Sequence, residues 1–177
     1  MSGIGHLAAG FAAKPSTPKV PLLILLAVSE TNEILYFLFS TVGLEKPARI
    51  SMSFTEGIRY ASSSINPWSH GLFMSVFWSL LAAALAYLFF KDRRAAAVVG
   101  GVAFSHWLLD FLMHSNLPLF FEGSPLLGIG LENTGPGFIF MTVLDLVLLG
   151  GAIAFYVVNR SKKRAATTQE IKNAANL

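Results

Sequence analysis

Ser105-His106-Trp107-Leu108-Leu109-Asp110-Phe111-Leu112-Met113-His114 is the stretch whose reading decides the fold. It lies within Ala95–Phe120, a window longer than the about 20 apolar residues that cross a ~30 Å hydrocarbon core. Three ionisable groups nevertheless recur there at spacings of four, which a helix places on one face. A charge near the bilayer centre is costly, so such residues are rare in membrane helices and face a partner, a cavity or a site. The stretch therefore predicts a polar site inside a helical membrane protein.

The same juxtaposition recurs on either side. Three further windows are long enough to span: Val20–Leu44, His70–Phe90 and Pro136–Val158. The first is interrupted by Ser29-Glu30-Thr31-Asn32-Glu33, the second opens on His70, and the third contains Asp145. Apolar residues make up 54% and charged residues 13%, against roughly 25% charged in a soluble domain. Mean hydropathy is +0.59. The expected fold is an all-α membrane protein, a bundle of four transmembrane helices with a short N-terminal interfacial or re-entrant helix. Residues 1–164 form its single domain, and the Ala-, Thr- and Asn-rich 165–177 a flexible cytoplasmic tail. The absence of cysteine excludes disulfides, thiolate metal sites and dithiol redox chemistry. No small-residue cleavage site follows an uninterrupted apolar run, so a cleavable signal peptide is not expected.

Nine cations set the orientation: Lys14 and Lys19 before the first window, Lys91, Arg93 and Arg94 between the second and third, and Arg160, Lys162, Lys163 and Arg164 after the last. The opposite side carries Lys46, Arg49 and Arg59. The positive-inside rule places both termini in the cytoplasm of a cell-membrane protein. The net charge of +3 sits at helix ends and reads as topology, not as nucleic-acid binding. On the outer side, Trp68 beside Pro67 suits an interfacial anchor. The Gly- and Pro-rich stretch 116–135, which carries Glu122 and Glu132, is either a cap over the site or an irregular connector.

At 1.5 Å of rise per residue, Glu30 lies ~15 Å, Glu33 ~20 Å, His106 ~16 Å and Asp110 ~22 Å from the inner edge, with Asp145 ~16 Å from the outer one. Five ionisable groups on three helices thus share one layer, below His70 and His114. Imidazoles with carboxylates suit a divalent metal such as zinc, iron or manganese. They equally suit a proton relay or a structural hydrogen-bond network between helices. Ser2–Ala13, with His6, is too short to span. It lies flat at the interface, or it rises into the bilayer against protein as a half-helix, bringing His6 close to Glu33 and His106.

Gly5-His6-Leu7, Glu33-Ile34-Leu35, Pro67-Trp68-Ser69-His70-Gly71, Ser105-His106-Trp107-Leu108-Leu109-Asp110 and His114-Ser115-Asn116-Leu117-Pro118-Leu119 follow one another in this order. That succession resembles the small bacterial and archaeal integral membrane proteins classed as membrane-bound metal-dependent hydrolases. The resemblance runs from about Gly5 to Leu131. It implies a divalent metal, zinc foremost, held by His6, Glu33, His70, His106 and Asp110 with His114 as a sixth ligand. Glu33 and Asp110 are then the catalytic acids, and the substrate is a lipid or phosphoester at the membrane. Relatives often carry an Asp-rich segment where this chain has Ser29–Glu33, which displaces the carboxylate by a methylene. Two other readings stand beside this one: a proton or divalent-ion transporter, for which a homo-oligomer of two copies would supply eight helices, and a non-catalytic membrane subunit whose polar cluster only joins helices.

Overall fold

Apolar continuity fails in the sequence at several points, and the helices end there. The computed structural model describes residues 4–46, 50–53, 59–62 and 65–175. Its helices are α1 (Leu7–Ala13), α2 (Leu22–Ser29), α3 (Thr31–Thr41), α4 (Pro67–His70), α5 (Leu72–Phe90), α6 (Arg93–Met113) and α7 (Gly135–Ala175). Two antiparallel hairpins, β1 (Ile50–Ser53) with β2 (Arg59–Ser62) and β3 (Leu117–Pro118) with β4 (Leu126–Leu127), lie in the connections. The chain is thus mostly helical. Helices α5, α6 and α7 are each long and apolar enough to cross a membrane, and α2 with α3 pass the same test as a pair bent by 61°.

Three of the four windows do not run as single helices. Val20–Leu44 breaks at Glu30, which is non-helical (φ −102°, ψ 16°). Neither proline nor glycine causes this. Ser29 Oγ donates to the Leu26 carbonyl and Thr31 Oγ1 to that of Val28, both at 2.7 Å, and such back-bonding competes with the helical ladder. His70 closes α4 rather than opening the next helix, because Gly71 is extended between them. Helix α6 stops at Met113 instead of Phe120, and His114 is its extended C-cap. Helix α7 runs on through residues 165–175. Arg49 and the side chain of Arg59, two of the outer-side cations, lie outside the described residues.

The turn Lys91-Asp92 makes α5 and α6 an antiparallel hairpin. Asp92 caps α6, accepting from the N–H groups of Arg94 and Ala95 at 3.0 and 3.1 Å, and pairs with Lys19 Nζ at 3.2 Å. Lys14 lines a pocket with Arg160, Lys163 and Arg164. All three basic segments therefore meet at one end of the bundle. Just inside it, Val20 and Leu25 pack with Ala86, Ala95 and Val99 as the apolar core. Helix α1 lies between α2 and α7. Gly10 allows this, because a Cβ there would stand 2.9 Å from the Leu25 carbonyl oxygen.

Further along, the polarity is inverted. Ser29, Asn32, Ser75, His106, Asp110 and Asp145 are buried, while Phe89 is 80%, Leu23 77% and Phe37 67% exposed. Asn32 Nδ2 donates to Ser75 Oγ at 3.1 Å, joining α3 to α5 through this polar interior.

Candidate metal centre

Asp110 is the meeting point of four histidines. Its Oδ1 lies 3.3 Å from His6 Nε2 and 3.6 Å from His114 Nε2. Its Oδ2 lies 3.3 Å from His106 Nε2 and 3.6 Å from His70 Nε2. Glu33 Oε1 stands 3.9 Å from His70 Nε2, and Glu30 Oε2 3.9 Å from His6 Nδ1. The structure thus gathers His6, Glu33, His70, His106, Asp110 and His114 into one cluster. His6, at the N-terminus of α1, is 1% exposed, and its ring centroid is 3.6 Å from that of His106.

Each helix break has a use here. The bend after α2 leaves the Ser29 carbonyl without its helical N–H, and it accepts instead from His106 Nδ1 at 2.9 Å. At the end of α4, Ser69 Oγ donates to Glu45 Oε2 at 2.7 Å and so accepts from His70 Nδ1 at 2.7 Å. Glu45 also accepts the backbone N–H groups of Trp68 and Ser69. At the end of α6, His114 Nδ1 donates to Glu132 Oε1 at 2.9 Å. The loop holding Glu132 is pinned because Ile129 N–H donates to the Phe111 carbonyl and Gly130 N–H to that of His114.

Three of the four imidazoles thereby donate from Nδ1 to an outer acceptor, with Nε2 turned toward Asp110. An outer acceptor on the second ring nitrogen is the usual support of a metal-ligating histidine. His106 Nε2 and both nitrogens of His6 are buried without an aligned hydrogen bond, although carboxylate oxygens lie close by. The separations suit ligation better. Donors ~2.1 Å from a tetrahedral ion stand ~3.4 Å apart, and those around Asp110 are 3.3–3.6 Å. His6, His106 and Asp110, and likewise Glu33, His70 and His106, each offer donor atoms within 4.8 Å of one another. The residues fit a divalent metal.

Exposure of the side chains rises from 0% at His106 to 12% at His70 and 36% at Glu33, so the cluster opens past α3. Asp145 is buried on α7 but belongs to neither donor set. Glu45 carries no signal in the sequence, since an acid in a polar loop is ordinary, and Ser69 stands there only as the neighbour of His70 in the motif Pro67-Trp68-Ser69-His70-Gly71. Glu132 stood out only as an acid in a Gly-rich loop. No family model, curated protein or solved structure matches this chain.

Proposed function

We propose that the protein is a membrane-embedded metal-dependent hydrolase acting on a lipid or phosphoester. The observation that carries this reading is the outward tethering of three Nδ1 atoms, with the corresponding Nε2 atoms converging on Asp110. A proton relay needs hydrogen bonds on both ring nitrogens, and neither nitrogen of His6 nor the Nε2 of His106 has one aligned. A purely structural network would align its hydrogen bonds, which His6 and the Nε2 of His106 do not.

In this reading α2–α3, α5, α6 and α7 span the bilayer and both termini are cytoplasmic. The basic end of the bundle and the outward apolar side chains support that placement. Helix α1 enters the membrane only part way, covered by α2 and α7. An apolar groove of about 540 Å³ beside α1, lined by Ala8, Ala12, Leu108 and Phe155, accommodates an acyl chain. His6, His70, His106, His114 and Asp110 would hold the ion, which when bound would supply Lewis acidity. Glu33, at the open rim, accepts the proton of the attacking water and returns it to the leaving oxygen.

Metal analysis of the purified protein tests this. The chelator-stripped protein should regain zinc or manganese on dialysis, and His106→Ala should not. Release of phosphate or fatty acid from membrane-lipid substrates should appear with the metal and vanish with chelator. A correctly folded wild-type protein that takes up no divalent ion would remove the reading.

A further inference from the structure

At the basic end of the bundle, Lys14, Arg160, Lys163 and Arg164 line one pocket of about 360 Å³, and no carboxylate lines it. Lys14 follows α1 and the other three belong to α7, so two cationic segments meet across the seam between these helices. Among the described residues none of the four has an acidic partner, whereas Lys19 has Asp92. Like charges gathered without counterions repel, and an anion from outside is the complement that this surface lacks.

The pocket is held in shape by the protein itself. Lys14 Nζ donates to the Pro18 carbonyl at 3.0 Å and to that of Val20 at 2.7 Å. An ammonium has three N–H groups, so one is left for a ligand. Thr17 Oγ1 donates to the Ala13 carbonyl at 3.1 Å, which closes the turn between Pro15 and Pro18. Arg160 Nη1 donates to Tyr156 Oη at 3.4 Å and so keeps its guanidinium at the pocket.

The apolar groove beside α1 continues the same seam. Ala12 and Phe155 line the groove, and Lys14 and Tyr156 line the pocket directly after them. Phe11 meets Tyr156 at this junction, with ring centroids 5.9 Å apart. A cationic mouth opening on an apolar trough matches an amphiphile with a phosphate head and an acyl tail. Basic pockets between membrane helices on the cytoplasmic side take anionic headgroups of this kind.

We infer that an anionic phospholipid of the inner leaflet docks along the α1–α7 seam, its headgroup among Lys14, Arg160, Lys163 and Arg164 and one acyl chain in the groove. The inference rests on the membrane placement above and not on the metal. The seven residues of α1, about 10 Å of helix, separate the pocket from His6. The head phosphate is therefore out of reach of the cluster, and this lipid is held, not hydrolysed.

Native mass spectrometry tests the docking. Delipidated protein is mixed in detergent with equal amounts of phosphatidylglycerol and phosphatidylcholine, and the lipid retained per chain is identified. One phosphatidylglycerol per chain is expected, and equal retention of phosphatidylcholine would overturn the charge complementarity. Each cation favours an anionic headgroup about fivefold, so Arg160→Gln with Lys163→Gln should weaken retention about 25-fold. Arg93→Gln with Arg94→Gln, at the same end but outside the pocket, should not weaken it. An equal loss there would reduce the effect to diffuse charge and remove the site. A Cβ on Gly151 meets open space in the groove, so Gly151→Leu fills the trough without a clash and should also lower retention. Unchanged retention in that variant, or displacement of the lipid by glycerol phosphate alone, would overturn the docked chain. Circular dichroism checks that each variant is folded. Chelator-stripped protein should keep the lipid, and Arg160→Gln with Lys163→Gln should still take up metal. Failure of the lipid site thus leaves the hydrolase reading standing, and absence of metal leaves the lipid site standing.

Discussion

Asp110 carries the cluster, yet its own burial is a cost that its partners offset. Removing one member of a buried ionic group leaves the others uncompensated and costs about 3–5 kcal/mol. Asp110→Asn, which keeps the volume and a hydrogen-bonding group, should therefore lose stability but still fold, judged by circular dichroism and elution volume, while metal uptake disappears. Retained uptake would show that the histidines bind without it. Ser69 offers a finer probe, because its hydroxyl links His70 Nδ1 to Glu45 without touching the centre. Loss of such an outer-shell partner weakens metal binding by about 10–100-fold. Ser69→Ala should fall in that range in a competition titration, and Ser69→Thr should largely restore binding. At this scale the sequence was informative about inward-facing groups, because an ionisable residue in an apolar run is conspicuous. The outer acceptors were not legible. The Ser29 carbonyl belongs to every peptide unit, and Glu45 reaches Ser69 from 24 residues away.

The helix ends are where the elements meet function, and glycine fixes one of them. Gly128 has φ +117°, and a Cβ there would collide with the His114 carbonyl. Backbone held in that region costs a non-glycine residue about 1–3 kcal/mol. Gly128→Ala should lower the unfolding free energy by about that much and also weaken the hold of Glu132 on His114. Chemical denaturation in mixed micelles, with metal titration alongside, would show whether the two losses travel together. At the opposite end of α6 the Asp92 carboxyl is held below the usual carboxylate range, first by the Ala95 N–H and then by Lys19. A depressed pKa stabilises the fold above the unfolded value, and this contribution is lost as pH falls through the folded one. Asp92→Asn should thus melt lower than wild type at neutral pH, with the gap closing as pH falls below ~4. A constant gap would trace the effect to geometry alone. The polar run Ser29–Glu33 marks where the window Val20–Leu44 breaks, but nothing in Ala95–Phe120 marks the stop at Met113, after which Gly130 N–H donates to the His114 carbonyl.

For the whole molecule, the disposition of basic segments is the most exposed claim. Burial lowers the Lys14 ammonium from its ordinary range, and nearby Lys163 adds like charge. The chain contains no cysteine, so single additions report cleanly. With an impermeant thiol reagent on intact cells, Glu122→Cys should label and Ser161→Cys should stay protected until the membrane is opened. The reverse pattern would invert the topology. The inverted polarity of the bundle also has a calorimetric consequence. Unfolding an ordinary soluble domain raises the heat capacity by about 12–15 cal/mol/K per residue, because newly wetted apolar surface dominates. Here Phe37 and Phe89 already face outward, whereas Ser29, Asn32, Ser75, Asp110 and His106 are released from within. Exposure of polar groups lowers the heat capacity. Free energy of unfolding against temperature should then be nearly straight instead of domed, so cooling keeps strengthening the fold and a cold-unfolding branch is pushed out of reach.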